Sequence, residues 1–194
     1  MTTKSEGFYA NVTLIDVQLA SAYYPILVEL AKHKHSITYG QLVERAKNTY
    51  PIHEVVRNAI VVSTGRRLDV VRMFTSERGL PDLTSLVINS GTGECGVGFT
   101  RNFDPVAARE EVFGFDWSAV TTDFNGFVRN TETALKPRKK VKEPEARELM
   151  ASYYKEHRAS LPTSVRDRRE LIVELIVEGL SAEEAFARAA DGVA

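Results

Sequence analysis

The sequence predicts a helix-rich α+β fold, and three observations carry that prediction. Apolar residues recur at helical spacing through most of 12–78. The pattern turns extended and β-branched after Leu80-Pro81, and a proline-flanked basic run at 136–142 separates this part from a second helical stretch. Three regions follow: a domain over 10–125, a basic linker over 131–144 and a helical C-terminal region over 145–194.

Each element has a local reason. Residues 12–32 read as a first helix, clearest at Ile26, Leu27 and Leu30, with Pro25 opening a new turn because proline suits a first turn and disrupts an interior. Ser36–Gly40 is short, β-leaning and broken by glycine. Gln41–Lys47 places Leu42, Val43 and Ala46 on one face of a second helix. After Pro51, His53–Val62 reads as a third helix with Val55, Val56, Ala59 and Ile60 inward and Arg57 and Asn58 outward, ended by Thr64-Gly65. Arg66–Arg78 makes a fourth, with Leu68, Val71, Met73 and Phe74 as core and Gly79 as cap. Leu83–Asn89 is a strand by its β-branched content, Ser90–Gly96 a glycine-rich turn, and Val97–Thr100 a returning strand. Asp104-Pro105 opens a short helix over 104–113, and Phe113, Phe115 and Trp117 pack back on the core. Beyond the linker, Glu145–Ser160 and Arg166–Glu178 are helical. Gly179 stops the second, and Ser181 with Glu184 forms a capping box for a last helix to Ala190.

Composition bounds the chemistry. The chain has 194 residues, 43% hydrophobic and 26% charged, enough to bury a core without staples. Cys95 is the only cysteine, which excludes an intrachain disulfide and a cysteine-rich zinc site. The start MTTKSEGFY lacks an apolar signal core, and no apolar run approaches the roughly 18 residues of a membrane span, so a soluble, cytoplasmic protein is expected. The net charge of −1 conceals a pattern of +3 over 35–80, −5 over 81–132, +6 over 133–169 and −5 over 170–194. A polyanion responds to such local zones, because screening confines each to about 8–10 Å.

The order helix, short strand, helix, helix, further helix and glycine-tipped hairpin matches the winged-helix way of holding duplex DNA. Arg57 and Asn58 carry the donors that read guanine and adenine. Gly91, Gly93 and Gly96 allow backbone amides to approach phosphate. Arg66, Arg67 and Arg72 can position the duplex through phosphates, one or more of them pairing with Asp69 or Glu77 at helical spacing. In the linker, Arg138, Lys139 and Lys140 with their basic neighbours form an arm suited to salt-dependent phosphate binding, or a plain solvated linker.

Ile37–Leu42 followed by His53–Ile60 resembles the winged-helix DNA-binding domain of alkyltransferase and alkyltransferase-like proteins. Those carry a Thr-Tyr-Gly-Glu-Leu stretch and a recognition helix built on Ala-Arg-Ala-Val-Gly. The resemblance implies that Tyr39 contacts the DNA backbone and that Arg57 fills the stack left by a flipped base. The family's acceptor motif, Pro-Cys-His-Arg-Val, is absent, with Leu83–Asn89 roughly in its place, so alkyl transfer is not expected. The stretches Gly79–Asn89, Thr92–Phe99 and Asp116-Trp117 are similar to a group of bacterial and phage-associated proteins sharing this layout. That similarity implies a phage or genome-defence setting and no particular activity.

Other constellations favour no chemistry. Cys95 has no basic neighbour to lower its pKa. His33 and His35 do not share a helix face, and His53-Glu54 lacks the second histidine of a zinc helix, so neither metal nor other cofactor is expected. Asp104, Glu110, Glu111 and Asp116 read as a solvated acidic face. The expected function is therefore non-enzymatic, weakly specific binding of duplex DNA. Two alternatives stand: a protein-binding inhibitor or adaptor on the same scaffold, and a metal-dependent enzyme acting on DNA. Leu171, Ile172, Leu175, Ile176 and Phe186 in the C-terminal helices are candidates for a homodimer or partner contact.

Overall fold

A computed structural model of the chain describes residues 12–100, 103–118, 121–135 and 139–191. The chain divides into two compact units, the first ending at Leu135 and the second running from Lys136 to Val193.

The first unit is organised around one helix, α1 (Leu14–Lys32). A capping box starts it: the Thr13 hydroxyl accepts the Asp16 N–H at 3.3 Å while the Asp16 carboxylate accepts the Thr13 N–H at 2.7 Å. Val17, Leu19, Tyr23, Tyr24, Leu27 and Ala31 are all buried, covering most of its circumference, as befits a helix enclosed by others. With 19 residues and a mean hydropathy of 1.2, α1 has the length and apolarity of a membrane span, contrary to the sequence expectation. However, 67% of that window is buried within the protein. Pro25 does not divide the helix; it sits inside it.

Strand β1 (Ile37–Thr38) leads directly into α2 (Tyr39–Thr49), whose N-terminus is closed by a second capping box between Thr38 and Gln41. The third helix is much shorter than the spacing predicts: α3 (Glu54–Arg57) is a single turn, followed by a 3-10 turn at Val61–Ser63. β-Branched Val55, Val56, Ile60, Val61 and Val62 disfavour helix. In addition, the Ser63 and Thr64 hydroxyls both bond to the Ile60 carbonyl, at 3.1 and 3.4 Å. Thr64-Gly65, expected as a terminator, instead opens α4 (Thr64–Glu77). Gly79 follows in the left-handed region at φ 62°, as expected of a helix-ending glycine.

The expected antiparallel hairpin is absent among the described residues. Leu83–Leu86 is a 3-10 turn, nucleated by the Asp82 carboxylate accepting the Thr84 N–H at 2.9 Å. Only β2 (Val87–Ile88) is extended, and it pairs in parallel with β1, Ile37 opposite Val87 and Thr38 opposite Ile88. The supposed returning strand is the helical turn α5 (Val97–Thr100). The unit is completed by α6 (Pro105–Gly114) and α7 (Thr121–Ala134), the latter occupying the start of the region expected to be linker.

Aromatic rings from α1, α4 and α7 meet in the core of the first unit. Tyr24 stacks on Phe124 with centroids 3.8 Å apart, and Phe74 meets the two rings edge-on at 5.6 and 4.9 Å. Arg78 lies over Phe74 at 4.4 Å and pairs with Asp123. Each such aromatic pair adds about 0.5–1.5 kcal/mol beyond its buried area. Trp117, 1% exposed, donates its indole N–H to the Val112 carbonyl at 2.9 Å.

The second unit contains α8 (Glu143–His157), a 3-10 turn at Thr163–Arg168, α9 (Arg169–Val177) and α10 (Ala182–Asp191). Gly179, at φ 95°, stops α9, and the Ser181–Glu184 capping box starts α10, both as the sequence predicts. Leu171, Ile172, Leu175, Ile176 and Phe186 are buried with Ala146 and Met150 in the core of this unit. The apolar face considered for an external partner is thus consumed internally.

Candidate nucleic-acid interface

The side chains expected to meet DNA fall into three groups: those locked inside the fold, those spent on closing a loop, and those left without a partner.

Arg66 and Arg67 belong to the first group. The two guanidiniums converge on Asp16 at the start of α1, Arg66 at 2.9 Å from one carboxylate oxygen and Arg67 on the other. The Arg67 side chain is fully enclosed and that of Asp16 is 2% exposed. Burial alone would raise the Asp16 carboxyl, but Arg67, Arg66 and the Thr13 N–H more than offset it and hold the group below the usual carboxylate range. This corrects the phosphate-binding expectation for Arg67, which has no surface to offer. The partner is 50 positions away from Arg66, not the neighbouring Asp69.

Arg72 is held as firmly. Its Nε bonds to Asp82 at 2.9 Å and its Nη2 to the Thr84 hydroxyl at 3.0 Å, with the guanidinium 4.9 Å from the Phe99 ring. It clamps the 82–99 segment onto α4 and does not face outward as a free cation.

Gly93 lies in the glycine-rich loop, and Tyr39, the first residue of α2, stands beside it. The Asn89 N–H bonds to the Glu94 carbonyl at 2.8 Å and the Gly93 N–H to the Asn89 carbonyl at 2.9 Å, while the Glu94 N–H bonds to the Thr92 hydroxyl at 3.2 Å. The Gly96 backbone N–H lies near the Tyr39 phenol and favours its ionised form. Burial raises the Tyr39 pKa, against the pull of that N–H. Gly93 takes φ 68°, so its role is to close the turn. The Asn89, Gly93 and Glu94 amides are thus committed to the loop itself. Gly91 is exposed and has open space around it.

Arg57 and Asn58 form the third group. Arg57 is the last residue of α3 and Asn58 its cap; both are exposed, and neither side chain has a hydrogen-bond or ion-pair partner among the described residues. Across 39–78, Arg45 pairs with Glu29, Arg66 and Arg67 with Asp16, Arg72 with Asp82 and Arg78 with Asp123. Arg57 is the one arginine of that stretch, among the described residues, left unpaired. In the second unit Lys139 and Lys140 are exposed, and Arg138 lies outside the described residues.

The remaining candidates settle into structural roles. Cys95 is buried, donates its thiol to the Ser85 carbonyl at 3.3 Å, and has its pKa raised by burial, so it is a poor nucleophile. No cluster of three potential metal ligands occurs among the described residues. In the acidic zone, Asp104 caps α6 and Asp116 accepts the Ser118 N–H at 2.9 Å. Glu110 and Glu111 are exposed. Sequence reasoning missed Asp16, although a carboxylate set among apolar residues in the first turn of a helix signals a cap or a buried ion pair. It also missed His53, whose Nδ1 accepts the Val56 N–H at 3.5 Å to cap α3.

No protein-family model, curated protein or solved structure matches the chain.

Proposed function

We propose that this chain is a non-enzymatic, cytoplasmic DNA-binding protein of weak sequence preference. It holds duplex DNA through Arg57 and Asn58 in the first unit and through Lys139, Lys140 and Lys142 in the second. The observation that carries this reading is the unpaired state of Arg57 beside five ion-paired arginines among the described residues. A cation kept out of internal pairs is available to exchange its counterion shell for a phosphate. The winged-helix-like, alkyltransferase-related scaffold is part of the proposal, supported by the strand-led Thr38-Tyr39-Gly40 helix start. In this version the wing is a closed loop. Helix α4 has the length to lie in a groove, about 21 Å for its 14 residues against about 6 Å for α3. Yet the outer side of α4 exposes Asp69 and Glu77, which phosphates repel, so base reading by that helix is disfavoured. A phage or genome-defence setting rests on the sequence resemblance alone.

The test is a DNA titration at two salt concentrations with the full chain, Arg57→Ala, and a Lys139→Ala/Lys140→Ala/Lys142→Ala variant. Affinity that falls with salt and with each change supports the proposal. Undetectable binding at low salt overturns it. A second reading, a protein-binding adaptor, is favoured by the apolar exposure flanking the same segment, where Ile52 is 94% and Val61 49% exposed.

A further inference from the structure

A cavity of about 310 Å³ opens in the first unit, lined by α1, the segment joining α2 to α3, and α7. Its apolar lining includes the stacked Tyr24 and Phe124 rings. Gln18, Ser21, Tyr50 and Asn125 bring two amides and two hydroxyls to it, and none of these side chains has a hydrogen-bond partner among the described residues. The Pro25 ring also lines the cavity, and because proline has no N–H the Ser21 carbonyl lacks its usual helical donor at this point. His53 completes the set: with its Nδ1 accepting from Val56, the neutral ring carries its proton on Nε2 as a donor. No Asp, Glu, Lys or Arg among the described residues lines the space.

Polar side chains with no internal partner, set around a partly apolar hollow, suit a small-molecule site, and the volume falls at the lower end of the range for such sites. An ionised ligand would lose hydration here and find no counter-charge, whereas an uncharged one exchanges water for amide and hydroxyl partners. Tyr24 and Phe124 are each 1% exposed and form the floor, so a flat ring gains most from the half-buried Tyr50 ring and the exposed His53 imidazole at the rim. We propose that this cavity binds an uncharged, planar heteroaromatic ligand with amide-type donors and acceptors, of the nucleobase, nucleoside or ring-carboxamide class. The inference shares no residue with the DNA-binding proposal, and the two stand or fall separately.

Saturation-transfer NMR and calorimetry on the full chain test it, with adenosine and nicotinamide as neutral probes and nicotinate as the isosteric anion. At least one neutral probe binds in the micromolar to low-millimolar range, and nicotinate binds at least about tenfold more weakly than nicotinamide. Ser21→Leu fills the cavity and abolishes binding. Asn125→Ala, at an exposed position that leaves the core intact, weakens binding about fivefold by removing one polar partner. Pro25→Ala restores the helical N–H to the Ser21 carbonyl, weakening binding while raising Tm, a combination that general destabilisation does not produce. The proposal is overturned if neither neutral probe binds at about 5 mM, if nicotinate matches nicotinamide, or if Ser21→Leu and Asn125→Ala both bind like the parent.

Discussion

Replacing Asp16 with alanine tests the central ion pair most directly. Four donors meet its carboxylate: the Thr13 N–H and hydroxyl, Arg66 and Arg67. The Arg66 side chain is 15% exposed and can turn to water, but Arg67 has no exposed surface and would remain as a buried cation that has lost its Asp16 carboxylate. Breaking such a pair from one side costs about 3–5 kcal/mol, and loss of the cap on α1 adds about 1 kcal/mol. The expected loss of about 4–6 kcal/mol is much of the stability of an ordinary domain. Urea denaturation followed by Trp117 fluorescence is the suitable assay, because the only tryptophan is buried in the first unit and reports on that unit alone. Adding Arg67→Met to Asp16→Ala removes the stranded charge and should recover a substantial part of the loss. A single-variant loss below about 1 kcal/mol, or no recovery in the double, would refute the reasoning.

The pH dependence follows with a definite sign. The folded carboxyl of Asp16 is lowered, so the unfolded chain takes up its proton first as pH falls. The contribution is whole above the unfolded value of about 3.9 and is lost as pH drops through the folded value beneath it. Asp16→Ala should therefore have a shallower acid limb than the parent in a urea midpoint series from pH 6 to pH 2.

Three further outcomes are expected. Arg57→Ala should reduce the slope of log affinity against log salt by about 0.9 if that guanidinium neutralises one phosphate, measured by fluorescence anisotropy on a labelled duplex. Gly93→Ala should cost about 1–2 kcal/mol in the urea midpoint, since an added Cβ meets no atom but the φ of 68° is strained for alanine. Cys95 should resist a thiol reagent in the native protein and react fully in urea, as its buried, hydrogen-bonded and poorly ionised thiol requires.

The sequence was most legible where structure is local. Ser181 and Glu184, Gly79, Gly179 and the Asp104-Pro105 helix start can each be read within four residues, because a cap is a contact between near neighbours. It was least legible where a side chain or a distant strand competes with periodicity. The spacing across His53–Val62 fits a helix, but it does not register two hydroxyls taking the Ile60 carbonyl. Leu83–Asn89 has the composition of a strand, yet Asp82 turns its first half. The arginines were visible as positive charge, but their fate depended on Asp16 and Asp82, and such long-range pairing leaves no local pattern. The cavity beside α1 was hidden for the same reason, since its polar side chains come from three separate segments.

The two-residue sheet bears on the order in which the first unit assembles. Ile37 and Val87 stand 50 positions apart, and closing a loop of that length costs about 3.5 kcal/mol before any contact rewards it. Two bridging pairs cannot repay that alone, so the strands meet only after α1, α2 and α4 have brought their ends together. The pairing is a late step of folding, and β1 and β2 act as a latch that closes on a finished core. Their backbone amides should accordingly exchange with solvent through local opening of the latch, ahead of the core amides of α1 and α4.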